Sequence, residues 1–248
     1  MKKERADILL VNRGLCASQS EAARLILAGQ VRAGPDHLVH KTSERLPPDT
    51  PLDVARRYPY VSRGAEKLRA ALDRFHPDLR QAVALDVGAS TGGFTDILLQ
   101  RGVSRVYAVD VGHGQLHRKL REDPRVVCLE KTNARHLDRR LIPENVDLLT
   151  ADVSFISLRR IMPPCAPLMR PDSWVFLLVK PQFEARRKEV CKGGVVRDNG
   201  VRERCIRDIC DFALTHFAWR LLGTVPSPIT GPKGNRETVA AFRTPPAS

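Results

Sequence analysis

The sequence predicts an α/β protein in which a mostly parallel seven-stranded sheet carries helices on both faces and a small α+β unit precedes it. Three observations carry this. From Val83 onward, apolar runs of four to eight residues alternate with helical segments, the pattern of βαβ units. The first run ends in a glycine-rich turn that opens a helix. Residues 1 to about 55 instead show helical periodicity followed by short strand-like pieces and the proline-rich LPPDTPLDV.

In the first unit a helix spans roughly Arg5 to Arg13 and stops at Gly14. Ser18 and Glu21 have capping-box spacing for a second helix ending near Gly29, with Ala22, Leu25, Ile26 and Gly29 as its buried stripe. VRAG, HLVHKT and TPLDV then read as short strands, with Gly34, Pro35 and Asp36 supplying a turn. A boundary follows near Ala55, a linker covers 56–61, and the larger domain covers 62–248. That domain opens on an amphipathic helix over 62–75, with Ser62 as its N-cap and Leu68, Ala71, Leu72 and Phe75 on one side. Strands are expected at 83–87, 105–109, 125–129, 146–150, 174–179, 220–225 and 237–242, the last two as an antiparallel edge pair.

Composition narrows the function classes. With 248 residues, 42% hydrophobic and 28% charged, the chain has the make-up of a folded globular protein. No stretch approaches the roughly 20 apolar residues of a membrane-spanning helix, and MKKERADILLVNRGLC lacks a signal peptide's cleavage pattern, so a cytoplasmic protein is expected. The six cysteines form no CxxC pair and read as reduced thiols. A net charge of +13 favours a polyanionic partner modestly over simple solubilising charge.

The segment ALDVGASTGGFTDILL runs strand, glycine turn, helix through Gly88, Ser90, Thr91, Gly92 and Gly93. Such a turn brings backbone close to a ligand at a helix N-terminus. A dinucleotide fingerprint wants glycine at position 90, where this chain has serine, so NAD is the weaker choice. Asp110 closes the next strand, 22 residues after Gly88, where a carboxylate accepts both hydroxyls of an adenosine ribose, in NAD or S-adenosylmethionine alike. Asn133 follows the third strand and can read an adenine edge.

Asp152 ends the fourth strand and Lys180 the fifth, at the end of the sheet where open α/β folds bind ligands. The plainer readings are a helix-capping aspartate and a structural ion pair. Lys67 and Glu237 are placed to join them. Two lysines and two carboxylates suit proton removal from a poor nucleophile such as a ribose 2′-hydroxyl, with Lys180 acting as base or as a cation facing a developing alkoxide. His113 and His117 have i, i+4 spacing but no evident third ligand, so no metal is expected. Phe155 is a candidate for stacking on a base, or for packing. Arg186, Arg187, Lys188, Lys192 and Arg197 either steer phosphates or form a solvated loop with Glu184, Glu189 and Asp198.

Taken in order, RADILLVNRGL, SQSEAARLILAGQV, VSRGAEKL, DVGASTGGFTDILLQRG, VDVGHGQLHRKLREDPRV, LEKTNAR, DLLTADVSFISL, LVKPQFE, KGGVVRD and GPKGNRE resemble the TlyA family across essentially the whole chain. These are S4-domain ribosomal RNA 2′-O-methyltransferases, also named haemolysin A. The resemblance implies an S4-like RNA-binding domain over 1–55 and a Rossmann-like, FtsJ-type methyltransferase domain with a Lys67, Asp152, Lys180, Glu237 tetrad. It implies S-adenosylmethionine held by Gly88, Ser90, Thr91, Gly92, Gly93, Asp110, Asn133 and Asp152. The partner it implies is ribosomal RNA in ribosomal subunits, docked through Arg5, Arg24, Arg32, Lys41 and Arg45, with no membrane. Family members that modify both subunits resemble a longer chain. Because this one ends at Ser248, soon after its last strand, a cytidine of large-subunit (23S) RNA is expected ahead of a small-subunit (16S) one. RRYPYVSRG, with Arg56 and Arg57, corresponds to the family's interdomain linker. The competing readings are a non-catalytic assembly factor, a membrane-active haemolysin and an NAD-dependent oxidoreductase.

Overall fold

A computed structural model describes residues 3–27, 29–34, 37–54 and 59–247, and the chain divides into two compact units, Met1–Pro59 and Tyr60–Ser248. The first contains β1 (Glu4–Arg5), α1 (Ala6–Asn12), α2 (Gln19–Leu27), β2 (Val31–Ala33), β3 (Arg45–Leu46) and β4 (Leu52–Val54). β1 pairs with β3 and β2 with β4, both antiparallel, around a core of Ala6, Leu9, Leu10, Ala22, Ile26, Val31, Val39 and Leu46. The Ser18 hydroxyl accepts the Glu21 amide at 3.2 Å while Glu21 reaches back to the Ala17 amide at 2.8 Å, so both expected capping residues satisfy backbone donors at the start of α2.

Three expectations for this unit are corrected. The first helix begins at Ala6, because Arg5 is already paired with Arg45 across β1 and β3. Gly29 is exposed: it sits at φ +65 just past α2, ending the helix rather than lining its buried stripe. HLVHKT contributes a single bridge, Leu38 to Arg32, in place of a strand. Pro35 and Asp36 of the expected turn, and Arg56 and Arg57 with most of the expected linker, lie outside the described residues.

The second unit contains α3 (Ala65–Phe75), β5 (Val83–Val87), α4 (Gly93–Gln100), β6 (Arg105–Val109), α5 (Arg118–Arg121), β7 (Val126–Leu129), β8 (Val146–Ala151), α6 (Met162–Cys165), β9 (Met169–Val179), α7 (Pro181–Glu184), α8 (Asn199–Phe217), β10 (Arg220–Pro226) and β11 (Thr238–Arg243). The seven strands lie in the order β10-β11-β9-β8-β5-β6-β7. β5 through β9 run parallel, whereas β11 is antiparallel to both β9 and β10. The expected edge pair is therefore present, with β11 inserted between β10 and the parallel strands. β9 starts at Met169, five residues before its expected start at 174. Ser62 lies outside α3, whose first cap position is Gly64; the Ser62 hydroxyl instead accepts the Gly64 amide at 3.3 Å.

One apolar face of the sheet packs under α6 and α8 and the other under α3 and α4. β5 sits where the winding direction reverses, with β6 on one side and β8 on the other, so a crevice opens beyond the carboxyl ends of these strands. One carboxylate is sealed beneath it. Asp86, on β5, is fully buried and accepts hydroxyl hydrogens from Thr95 at 2.7 Å and Thr150 at 2.9 Å. Burial pushes its pKa up to about 6, the two hydroxyls oppose the shift, and the Asp152 charge adds to it.

Because the folded state holds this proton more tightly than the unfolded chain, Asp86 contributes stability below about pH 4 that is lost as pH rises to about 6. Asp86→Asn removes that dependence. In urea unfolding between pH 4 and 7, the stability of wild type relative to the variant should fall by on the order of 3 kcal/mol.

Candidate active site

The crevice is built from backbone that only certain residues tolerate. Gly88 leaves β5 at φ +84, and a Cβ there would stand 2.5 Å from the Asp152 carbonyl oxygen. The absent side chain lets the two loops touch, and the Asp152 amide completes the junction by donating to the Val87 carbonyl at 2.9 Å. Ser90 follows at φ +48, so serine occupies the left-handed conformation for which the nucleotide fingerprint uses glycine. It is held there by Asp110, whose Oδ2 accepts the Ser90 amide at 2.8 Å and whose Oδ1 accepts the Gly112 amide at 2.7 Å.

These residues open a cavity of about 370 Å³, within the range of small-molecule sites. Gly88, Ser90, Asp110, Asn133 and Asp152 all line it, against apolar walls that include Val109, Val153 and Ile161. Thr91, Gly92 and Gly93 do not. Gly92 turns the chain into α4 at φ +94 with its α-hydrogen against Leu120, and a Cβ on Gly93 would overlap the Ser62 hydroxyl. The two glycines serve close packing, while the exposed Thr91 offers its carbonyl to the His117 amide at 3.2 Å. The Asn133 side-chain oxygen caps a helical turn over Ala134–His136 by accepting the Arg135 amide at 3.1 Å.

At the adjoining strand ends the four expected charged residues form two pairs. Lys180 is the first residue past β9 and Glu237 immediately precedes β11; the register Thr238 to Val179 makes them cross-strand neighbours. Lys180 Nζ lies 2.6 Å from Asp152 Oδ1 and donates to Ser154 Oγ at 2.9 Å. That carboxylate contact is off-axis, so Asp152 Oδ1 has a charge partner without an aligned hydrogen bond. Lys67, on α3, donates to Glu237 Oε2 at 2.6 Å. Lys67 and Lys180 are each 7% exposed and Glu237 2%, so each ammonium has exchanged water for a carboxylate. Glu237 Oε1 is buried without a hydrogen-bond partner among the described residues, and a Cβ on Gly231 would overlap it. Ser157, not Asp152, caps the next helical turn.

Ser154 was not singled out from sequence. Glu184, read there as part of a solvated loop, is instead half-buried: it accepts the Ser157 hydroxyl at 2.6 Å and the Leu158 amide at 2.8 Å, tying α7 to the loop after β8. Burial raises its pKa. Its place in LVKPQFE, just beyond an apolar strand, was the available signal. Phe155 is 91% exposed at φ +64, borders the cavity and meets the Phe183 ring at 5.2 Å, so its role is not core packing. The histidines have other work: His117 caps α5, and His113 lies 3.3 Å from Glu130.

In the first unit Arg5 is clamped onto Asp7 at 2.7 Å and Arg45 donates to the Lys3 carbonyl, while Arg24, Arg32 and Lys41 are exposed.

A family model described as FtsJ-like methyltransferase matches residues 60–244. The Mycobacterium tuberculosis (strain H37Rv) protein named 16S/23S rRNA (cytidine-2′-O)-methyltransferase TlyA is 44% identical over 98% of this chain and 91% of its own. The chain belongs to the TlyA family of FtsJ-like methyltransferases. The Campylobacter jejuni protein named 23S rRNA (cytidine-2′-O)-methyltransferase TlyA is 36% identical over 72% of this chain and 68% of its own. Hemolysin A of Brachyspira hyodysenteriae is 39% identical over 96% and 99%. A solved Streptococcus thermophilus structure carrying the hemolysin name superposes with a TM-score of 0.74 at 38% identity, covering 99% of this chain and 90% of that one.

The enzyme is thus a methyltransferase, and membership of the FtsJ-like family implies S-adenosylmethionine as its cofactor. The cavity fits that group, since Gly88 gives it bare backbone, Asp110 a carboxylate and the valines and Ile161 an apolar wall.

Gly88→Ala tests the close approach of the two loops. A methyl group at φ +84 against the Asp152 carbonyl should cost about 1–3 kcal/mol of stability. Calorimetric titration should show S-adenosylmethionine affinity reduced at least tenfold, that is by about 1.4 kcal/mol.

Proposed function

We propose that this enzyme methylates the ribose 2′-oxygen of a cytidine in ribosomal RNA, with large-subunit RNA as the substrate. The observation that carries the reading is the double ion pair of Lys67 with Glu237 and Lys180 with Asp152 beside the cofactor cavity. The target class follows the relatives: both TlyA proteins carry cytidine-2′-O-methyltransferase in their names, and 23S RNA is the substrate those names share.

Bound S-adenosylmethionine supplies an electrophilic methyl group. The chain must hold the ribose oxygen in line with that group and deal with the hydroxyl proton. An ammonium has three donors, and Lys180 commits one to Ser154 and points a second towards Asp152. The third is left for the 2′-oxygen, where it stabilises the negative charge that builds as the proton departs. The hydroxyl proton passes to the Asp152 carboxylate, 2.6 Å from Lys180 Nζ. Lys67 fixes Glu237 at the neighbouring strand end through its 2.6 Å hydrogen bond, where the carboxylate orients the ribose. Phe155, exposed at the cavity mouth, stacks on the target base. In the Met1–Pro59 unit, which we read as an S4-like RNA-binding domain, Arg24, Arg32, Lys41 and the outer faces of Arg5 and Arg45 contact folded RNA by shape and backbone. The haemolysin name has no support in a spanning helix, since no described helix is long and apolar enough to cross a membrane.

Purified enzyme, methyl-labelled S-adenosylmethionine and separated unmodified subunits provide the test. Label should appear on a ribose 2′-oxygen of a large-subunit cytidine, and Lys180→Ala should lower transfer at least a hundredfold while cofactor affinity changes little. Full activity of that variant would refute the role given to Lys180. Absence of transfer by the wild type would favour a non-catalytic assembly factor.

Gly231→Ala pushes a methyl group into Glu237 Oε1 without touching the cofactor cavity. It should lower kcat at least tenfold and leave S-adenosylmethionine affinity within about twofold, measured by single-turnover transfer and calorimetry.

A further inference from the structure

A second cavity, of about 470 Å³, lies between the segment leading into α8 and the loop before β11. Arg197, Arg202, Lys233 and Arg236 line it, together with Asn199 and the backbone around Val196, and no carboxylate contributes to its walls. Among the described residues none of these four cations is in an ion pair. Nearby arginines behave differently: Arg204 grips Glu189, and Arg159 lies 3.6 Å from Asp208. Four uncompensated positive charges around one concave surface repel one another, and a bound anion relieves that repulsion.

The cleft is also framed rather than loose. Asn235, 2% exposed, accepts the Val196 amide at 3.0 Å and donates to the Gly194 carbonyl at 2.8 Å, riveting its two walls together. Arg202 donates to the Val196 and Arg197 carbonyls at 3.0 and 2.8 Å, so its guanidinium is positioned by backbone. Asp198, which follows Arg197, spends a carboxylate oxygen on the Val201 amide at 2.9 Å, and Glu237, which follows Arg236, is held by Lys67.

The position gives the cleft its meaning. A third cavity, of about 330 Å³, shares Asn199, Arg202 and Arg236 with it and continues to Pro181 and Glu237. Pro181 follows Lys180 directly, and Glu237 is the partner of Lys67. The cofactor cavity reaches the same charged cluster from the other direction, at Asp152. Cofactor cavity, paired charges and cation cleft therefore form a sequence. S-adenosylmethionine, with its cationic sulfonium, is not a ligand for four unpaired cations. A polyanion is, and guanidinium groups match phosphate oxygens in shape and charge.

We propose that this cleft is a phosphate site that holds the RNA backbone on one side of the target nucleotide, with Arg197, Lys233 and Arg236 as its contacts and Arg202 as its framed cation. The inference rests on the RNA-methyltransferase reading above and adds where the strand runs. None of the four cations lines the cofactor cavity, so their job is to fix the strand's register rather than to act on the reacting atoms.

Full-length protein in which Arg197, Lys233 and Arg236 are changed to Gln, singly and together, is assayed with unmodified ribosomal subunits over a range of salt concentrations. The triple variant should raise KM for the subunit about tenfold or more, with a much smaller change in kcat and unaltered S-adenosylmethionine affinity. The slope of log affinity against log salt should shrink by about one for each phosphate contact removed. Arg197→Lys combined with Arg236→Lys should keep most of the salt slope. A triple variant with wild-type melting temperature, KM and salt slope would overturn the assignment. Direct binding of the same subunits, without cofactor, decides the cleft separately from the chemistry. If the wild type transfers no methyl group yet the triple variant loses subunit affinity, the methylation reading fails and the phosphate site stands.

Discussion

Two lysine–carboxylate pairs removed from water at the ends of β8, β9 and β11 are the constraint around which the larger unit is arranged. A buried ammonium without its carboxylate costs several kcal/mol, so neither pair tolerates loss of one partner. Meeting this condition requires residues separated by 170 positions in the chain, Lys67 and Glu237, to arrive at one place. The antiparallel insertion of β11 beside β9 accomplishes it: the register sets Glu237 next to Lys180, and α3 lies across the same strands to deliver Lys67. An exclusively parallel sheet would present the start of the last strand at the opposite edge.

The backbone around these pairs carries conformations that ordinary residues avoid. Ser90 and Phe155, both non-glycine at positive φ, border the cofactor cavity. Such conformations cost on the order of 1–3 kcal/mol and persist where surrounding bonds over-determine them. For Ser90 the compensating bond is visible in the Asp110 carboxylate. Asp110 thereby holds the loop through two backbone amides while lining the cavity itself. Asp86 beneath the crevice belongs to the same economy of charge: two hydroxyls hold a carboxyl that burial keeps easy to protonate, at the strand from which the glycine turn departs.

The excess positive charge is unevenly used. Arg5, Arg121, Arg125 and Arg204 are each held by a nearby carboxylate and add little net field. The cleft before α8 collects cations without such partners. A net charge of +13 is silent on this distinction, since it counts both kinds equally. Only the pairing pattern separates charge that keeps the protein soluble from charge aimed at a ligand.

The sequence by itself determined most of the elements and the strand ends that the candidate site occupies. Continuous apolar runs placed the strands of the large sheet, most firmly the central β5, β6 and β8, which are buried and must be apolar whatever their neighbours. The glycine turn, Asp110, Asp152 and Lys180 were legible because each sits at a strand end, where chemistry and hydrophobic pattern change together. Tertiary structure decided the rest. It packed Gly92 against Leu120 and Gly93 against Ser62, off the cavity wall. It bound Arg5 to Asp7 and made Gly29 a helix stop. It brought Glu184, Ser154 and Gly231 to the site, and it gathered Arg197, Arg202, Lys233 and Arg236 around one cleft. Local pattern records which side of an element is apolar. Which distant side chains meet depends on strand order and register, and these are properties of the folded sheet.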